Sequence, residues 1–261
     1  MNNDSQENMI RLLSEGLRQD QRAFDKFRDI EIEYGVVEMA EGSAKVKCGN
    51  TEVIAGVKLK LDKPYGDTPD QGILMVNTEL TPMSNPRFEF GPPSIESIET
   101  SRVVDRGLRE GHAMDVKKLC VEKGEKVWMV NVDICPVNDD GNLLDIGAIA
   151  AIAALKNTKF PEVDKDGKVN YKKKTKVSLP LLEEPLPVTV IKIGDHFLID
   201  PTENETNVLE SRITFTFRKD GKLCSVQKGG DGSLTVDEIT KMVELAKKTV
   251  ESNRKALDKA K

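Results

Sequence analysis

The sequence predicts an α+β fold of two similar lobes, each a mixed sheet with helices packed against it. With 261 residues, the chain is long enough for two lobes of ordinary size. Each half contains strand-like runs with alternating apolar residues, followed by helical segments. The small, apolar segment 144–158 also indicates one helix buried against neighbouring elements.

The first elements are a short helix and a strand meander. Residues 6–15 are predicted to form the helix, which Gly16 ends. A polar arm rich in Arg and Asp follows. Strands are then predicted at residues 34–40, 44–49, 51–61 and 73–80.

The next helix presents two different stripes. Ser94 is a suitable N-cap for a helix that runs to about Gly111. The predicted packing stripe consists of Ser97, Ser101, Val104 and Leu108. A second, basic stripe consists of Arg102, Arg106 and Arg109. A strand at residues 126–137 and the buried helix 144–158 complete the first lobe.

The second lobe repeats the order of strands followed by a helix. Strands are predicted at 188–194 and 196–200, and a hairpin at 210–228. Thr235 and Glu238 form a capping box for the last helix. Its predicted apolar stripe is Val236, Ile239, Val243, Ala246 and Val250. We therefore divide the chain into an N-terminal lobe with its arm (1–160), a linker (161–187) and a C-terminal lobe (188–261).

Composition excludes several classes of function. The net charge of −5 disfavours a protein that coats nucleic acid, so any RNA contact requires a local basic patch. No apolar run approaches the ~20 residues that span a bilayer, and no secretory signal is visible, so a cytoplasmic protein without membrane contact is expected. The four cysteines are widely spaced and only two histidines are present. Buried thiols are therefore expected, with no metal site and no cofactor.

Five segments in order resemble the RNase PH family. They are GLRQDQR (16–22), the hairpin 42–58, SRVVDRGLRE (101–110), VWMVNVDI (127–134) and LIDPTxxE (198–205). The order and spacing hold over roughly residues 15–255. Within the family, the segments are most similar to the non-catalytic ring subunits of the archaeal exosome.

The resemblance implies an RNase PH-like fold, also described as ribosomal protein S5 domain 2-like, and a place in a six-membered ring. Active family members phosphorolyse RNA from its 3′ end and release nucleoside diphosphates. In the archaeal ring, catalytic and non-catalytic chains alternate and RNA ends bind at their shared interface. The implied partners are therefore a catalytic RNase PH-like subunit, RNA and RNA-binding cap subunits.

Two parts of the phosphorolytic site are missing. Where active relatives carry G-T-R for phosphate, this chain has Gly147, Ala148 and Ile149. Of the acid motif D-L-x-x-x-E-D and a later Asp, Asp200 and Glu205 remain. The other two positions fall at Thr206 and Arg212. We therefore expect no catalytic residue and no activity of the isolated chain, and Asp200 is interpreted as a strand-end or turn residue that caps the following segment.

The basic stripe is the candidate RNA site. Guanidinium groups bind phosphate oxygens as a fork and keep their charge, and the resemblance places Arg102 and Arg106 on the RNA path. Arg109 is a candidate for the same role or for pairing with an acid. The alternative is a solvated face with Arg102–Asp105 and Arg106–Glu110 pairs.

Three other segments have weaker predictions. The loop Lys63–Gly72 is a candidate for weak channel contact. The run Tyr171–Lys176 is a basic patch that we interpret as a solvated edge hairpin. His112 is predicted to end a helix rather than to act as a base.

Two alternative functions remain open from the sequence. One is a self-sufficient phosphate-dependent 3′–5′ exoribonuclease that uses Asp200 and Glu205. The other is a scaffold of the same fold with no role toward RNA.

Overall fold

The computed structural model describes residues 3–164 and 168–260 and contains two main sheets and a separate hairpin. The helices are α1 (Asn3–Ser14), α2 (Ile95–Glu110), α3 (Leu143–Asn157), α4 (Glu203–Thr206) and α5 (Val236–Lys259), with a 3-10 helix at Val116–Leu119. The strands are β1 (Ile30–Tyr34), β2 (Gly42–Cys48), β3 (Thr51–Asp62), β4 (Ile73–Thr78), β5 (Cys120–Glu122), β6 (Lys126–Asn138), β7 (Lys159–Val163), β8 (Val169–Ser178), β9 (Leu186–Ile193), β10 (His196–Ile199), β11 (Ser211–Phe217) and β12 (Leu223–Gly229). The α+β fold class is confirmed.

The first sheet has the strand order β1-β2-β3-β6-β4, and β5 also pairs with β6. Among the described strands of this sheet, only the β4–β6 pair is parallel. The strand predicted at residues 34–40 is wrong, because β1 ends at Tyr34 and Gly35 has a φ of 74° that redirects the chain. β5 and the 3-10 helix were not predicted, since neither shows a sustained apolar period.

α3 lies between the two sheets. It packs on β2, β3 and β6 of the first sheet and on β9 of the second. Alanines dominate its middle, and every residue from Ile146 to Leu155 is buried. Small side chains allow a helix to approach two layers closely, so this segment forms the centre of the core.

The second sheet has the order β10-β9-β11-β12 and is covered on both faces. Ile191 and Ile193 pack with Met9 and Leu13 of α1, whereas α5 packs on β9 and β11. The predicted stripe of α5 is wrong at its start, because Val236 is 79% exposed. The buried residues of α5 are Met242, Ala246, Thr249, Val250, Asn253, Arg254 and Leu257. The first turn contacts the second sheet through the ion pair of Glu238 with Lys192 on β9, and Val236 points away from it.

The stretch predicted as a linker contains most of the β7–β8 hairpin. β8 has ten residues and β7 has five, and their pairing contains register shifts. Almost every β8 side chain is exposed. The hairpin interpretation of Tyr171–Lys176 agrees with this pairing.

All four cysteines are free thiols. Only Cys48 is buried as expected, and Cys120, Cys135 and Cys224 are half-buried. Cys135 lies on the outward-facing row of β6, which explains its partial exposure.

A buried carboxylate joins α3 to the second sheet. Asp145 Oδ2 accepts a hydrogen bond from the Thr189 backbone N–H (2.8 Å), and Oδ1 accepts one from the Thr189 hydroxyl (2.7 Å). The Thr189 hydroxyl also contacts the Thr214 hydroxyl on β11 at 2.8 Å. Burial raises the pKa of Asp145 from its ordinary value of 3.8 to about 6, although the bonds from Thr189 oppose this shift.

The Asp145→Asn variant tests the contact of Asp145 with Thr189 by the pH dependence of the free energy of unfolding. Between pH about 4 and about 6, folded Asp145 binds a proton that the unfolded chain has released. The contribution of Asp145 to the free energy of unfolding therefore falls as pH rises through this window and levels off above it, whereas a neutral amide at this position removes this contribution. The stability difference between the two proteins should change by about 3 kcal/mol at most across the window. Urea denaturation at a series of pH values measures it, and a constant difference contradicts the assignment.

Candidate RNA-binding helix and acid-motif region

The orientation of α2 is fixed by its ends and its buried stripe. Ser94 caps the helix by accepting a hydrogen bond from the Ser97 N–H (3.2 Å). The Ser97 hydroxyl donates to the Thr78 carbonyl of β4 at 2.6 Å. The predicted packing stripe is confirmed, since all four residues are buried. The basic stripe must therefore face away from the core.

The three arginines of this stripe are exposed but differ in their partners. Arg109 donates to Asp105 (2.7 Å) and to the Leu74 carbonyl (3.1 Å). The hydrogen bond to Asp105, with its charge, raises the pKa of Arg109 above its ordinary value. Arg106 has one long contact, 3.4 Å from Nη1 to the Gln227 side-chain oxygen. The Arg102 guanidinium has no acidic or hydrogen-bonding partner in the part of the chain that the structure describes.

The alternative of intrahelical pairing for Arg102 and Arg106 is not observed. Asp105, the expected partner of Arg102, is occupied by Arg109. Glu110 forms no ion pair with Arg106 among the described residues. The guanidinium groups of Arg102 and Arg106 thus lie on one face of the helix without an acidic partner among the described residues.

Asp200, a remnant of the acid motif, is bound by arginines of the arm. It is fully buried at the end of β10, with a φ of 47°. Its Oδ1 accepts from Arg28 Nη2 and from the Asn142 amide, each at 2.8 Å. Its Oδ2 accepts from Arg28 Nε and Arg22 Nη1, also at 2.8 Å. Burial alone would raise the pKa of Asp200, but Arg28 and Arg22 hold it below its ordinary value.

Glu205 is held in the same way. Arg18 donates to both of its carboxylate oxygens, at 2.8 and 2.6 Å. Glu205 also completes a capping box with Thr202 at the start of α4. The predicted cap at this turn is therefore formed by Thr202 rather than by Asp200, although Asp200 is the strand-end residue that the sequence indicated.

The segment that matches the phosphate-binding motif is apolar and enclosed. Gly147, Ala148 and Ile149 lie in the first turns of α3, and Ile149 is fully buried. A Cβ on Gly147 would lie 3.3 Å from Ile134, so the helix meets β6 closely at this point. No hydroxyl or guanidinium group projects from these three positions to bind an anion.

A cleft of about 380 Å³ opens at the start of α3, between α2, α3 and α4. Its charged lining residues are Arg87, Glu96, Glu99, Asp139, Glu203 and Arg212. Arg87 pairs with Glu96 (2.8 Å) and Asp139 (2.7 Å), and Arg212 pairs with Glu99 (2.6 Å). Burial raises the pKa of Glu96 despite the charge of Arg87. Acids outnumber bases here and both arginines are paired, which is unfavourable for a free phosphate.

The remaining predicted positions lie elsewhere. His112 follows α2 with a φ of 53° and is exposed, in agreement with a helix-end role. The loop Lys63–Gly72 leads into β4 and is exposed at its tip, residues 65–67. Within residues 3–164 and 168–260, no group of three or more His, Cys, Asp or Glu residues is arranged to hold a metal. No helix in the described segments is long and apolar enough to cross a membrane.

Sequence reasoning missed the partners of the two remaining acids. It identified residues 16–29 as an ordered polar arm but did not connect Arg18, Arg22 and Arg28 with Asp200 and Glu205. The signal in the sequence was the presence of three arginines in one short segment, in a chain that keeps only two of the four acids of the motif. It also missed Gln227, the neighbour of Arg106, because the two lie 121 residues apart.

The Asp200→Asn variant tests the structural role of this carboxylate. Removing its charge takes away the buried counter-ion that Arg28 and Arg22 share and leaves them only the partly exposed Asp140 and Asp20, which should lower the free energy of unfolding by about 3 kcal/mol. Chemical denaturation measures the loss, with the exposed Asp231→Asn as a matched control. Equal stability of the two variants would refute a structural role.

Family models match most of the chain. The model described as the 3′ exoribonuclease family, domain 1, matches residues 26–161. The model of domain 2 of the same family matches residues 184–249.

Whole-chain comparisons agree. The exosome complex component Rrp42 of Methanocella arvoryzae is 43% identical over 95% of this chain and 93% of that protein. Rrp42 of Archaeoglobus fulgidus is 49% identical over 84% of this chain and 82% of its own length. A chain of the Archaeoglobus fulgidus exosome with RNA bound to the active site superposes with a TM-score of 0.90 at 42% identity, over 97% of both chains. A chain of an archaeal exosome core superposes with a TM-score of 0.87 at 39% identity, over 98% of this chain and 97% of that one. Two matched domains, identity over nearly the full length and the shared fold establish that this chain belongs to the RNase PH family of 3′ exoribonucleases.

Proposed function

We propose that this chain is a non-catalytic ring subunit of an archaeal-type exosome, which degrades RNA from its 3′ end by phosphorolysis. Its partners would be a catalytic RNase PH-like subunit that alternates with it, RNA, and RNA-binding cap subunits. The free thiols agree with a reducing compartment, and we place the complex in the cytoplasm. The proposal is supported by relatives that are named exosome components.

The observation that carries the proposal is a contrast between two groups of arginines. Arg18, Arg22 and Arg28 are bound to the two remaining acids of the catalytic motif. Arg102 and Arg106 stay exposed on α2 without acidic partners among the described residues. A buried arginine–carboxylate network does not release its carboxylates for chemistry, because breaking it leaves uncompensated charges.

Arg102 and Arg106 are suited to bind the RNA backbone rather than its bases. They lie four residues apart on one helical face, so their guanidinium groups project in the same direction. Such forks bind phosphate oxygens and position the polynucleotide without reading its sequence. Arg109 belongs to the same proposed surface as a lesser contact, because RNA must compete with Asp105 for it.

The isolated chain should not degrade RNA. Incubation with a 3′-overhanging RNA and inorganic phosphate should release no nucleoside diphosphate, since the phosphate pocket and half of the acids are absent. Assembly with a catalytic subunit that carries the complete motifs should give phosphate-dependent release and a ring mass in native mass spectrometry. Release by the isolated, contaminant-free chain would favour the self-sufficient exonuclease instead.

Charge reversal at Arg102 and Arg106 tests the RNA contact. In the assembled complex, R102E/R106E should weaken binding of single-stranded RNA at least about tenfold at 0.1 M salt and reduce the salt dependence of log K by about 1.4. Arg109→Ala should weaken RNA binding less than R102E or R106E alone. The matched control is K247E/K255E, which makes the same change in charge on the exposed side of α5. Unchanged RNA affinity of R102E/R106E in an intact ring would support a scaffold without a role toward RNA.

A further inference from the structure

A second basic surface lies on the β7–β8 hairpin, away from α2. Five lysines and no acid occur from Lys168 to Leu182, although the whole chain has a net charge of −5. On α2, Arg106 contacts Gln227 and Arg109 contacts Leu74, and neither partner belongs to this hairpin. Positive charge is therefore concentrated at two separate places.

The hairpin has more residues than its pairing requires. Pro161 pairs with Lys174 and Glu162 pairs with Asn170, so residues 171–173 form an unpaired bulge. A second register shift follows between Lys174 and Ser178. Bulges redirect side chains away from the regular alternation, and here they place lysines in solvent rather than in a core.

The hairpin is anchored at Lys58 of β3 and at Ala40, just before β2. Lys58 Nζ lies 5.1 Å from the centre of the Tyr171 ring, and Lys174 Nζ donates to the Ala40 carbonyl at 2.6 Å. These contacts fix the hairpin beside β3 and the segment before β2, and Tyr171 remains 42% exposed. A partly exposed aromatic ring is thereby held against the Lys58 ammonium group, on a strand that also carries Lys172 and Lys176.

The lysines differ in how far their charge is neutralised. Lys58 pairs with Glu41 and Lys173 lies 3.8 Å from Glu162. Lys172 and Lys176 have no acidic partner in the described part of the chain. Lysines on an edge strand also discourage aggregation, but that role does not require a tyrosine clamped over a β3 lysine.

We infer that Tyr171, Lys172 and Lys176, with Lys58 holding the Tyr171 ring in place, form a second contact for single-stranded RNA. Lysine ammonium groups track the phosphates as mobile point charges, and an aromatic ring offers a stacking surface that tolerates any base. The inference rests on the proposed function, because it assumes that RNA reaches this ring. It adds an anchoring site for a part of the RNA that lies outside the α2 contact. An acidic protein segment is the competing ligand for such a surface.

RNA length separates the two contacts. Complexes assembled with the catalytic partner are compared as wild type, K172E/K176E, R102E/R106E and K247E/K255E, with single-stranded RNAs of roughly 10 and roughly 40 nucleotides. K172E/K176E should weaken binding of the long RNA about tenfold at 0.1 M salt and reduce its salt slope by about 1.4. It should leave the short RNA unaffected, because a short RNA fills only the α2 contact.

Tyr171→Leu serves as a second variant that leaves the charges unchanged. It should weaken long-RNA binding without changing the salt slope, since stacking is lost but no phosphate contact is. All variants are checked for ring mass and thermal stability, so that misfolding is distinguished from lost binding.

The outcomes separate the two proposals. Normal long-RNA binding by K172E/K176E, with weakened binding by R102E/R106E, overturns the hairpin contact and leaves the proposed function intact. Binding of a poly-glutamate peptide in preference to long RNA would also overturn it and would identify the hairpin as a protein-docking surface. No effect of R102E/R106E on either RNA overturns the proposed function itself.

Discussion

Three arginines of the N-terminal arm and two buried carboxylates form the interaction on which the rest of the structure depends. Arg28 and Arg22 share Asp200, and Arg18 takes both oxygens of Glu205. Asp200 also accepts a bond from Asn142, which immediately precedes α3. Through this one cluster the arm, α3 and the end of β10 are fixed relative to one another.

The same cluster explains how a member of an exonuclease family can keep two acids of the catalytic motif in a structural role. A carboxylate that faces two guanidinium groups and an amide is stabilised in its charged form and is unavailable to accept a proton from a leaving group. In the neighbouring cleft, Glu96 and Asp139 pair with Arg87, and Glu99 pairs with Arg212. Positive charge that is free to meet a polyanion is found instead on the exposed side of α2 and on β8. In our proposal, the subunit therefore holds RNA while its partner performs the chemistry.

Most of the fold could be predicted because its signals are local. The cap at Ser94, the glycine after α1 and the capping box at Thr235 mark helix ends within a few residues of sequence. The errors occurred where tertiary structure decides. Gly35 ends the first strand earlier than its apolar pattern indicates, and the first turn of α5 contacts the second sheet through Glu238 while Val236 stays exposed.

The candidate site also contains some features that local sequence predicts and others that tertiary structure decides. The absence of a phosphate-binding motif is visible in three adjacent letters at Gly147–Ile149, and the arginine stripe is visible from helical spacing. The pairing of Arg109 rather than Arg102 with Asp105 depends on side-chain reach around one turn, and both choices satisfy the spacing rules. The arm's partners lie more than 170 residues away, where no sequence period can reveal them.

That separation along the chain has a consequence for synthesis. The arm is synthesised long before Asp200 and Glu205. Its three guanidinium groups therefore lack these two partners while the first sheet and α3 are made. Closing so long a loop carries an entropic cost that is recovered only when the second sheet is in place. The N-terminal arm therefore reaches its final position only after the last third of the polypeptide, which contains Asp200 and Glu205, has been synthesised.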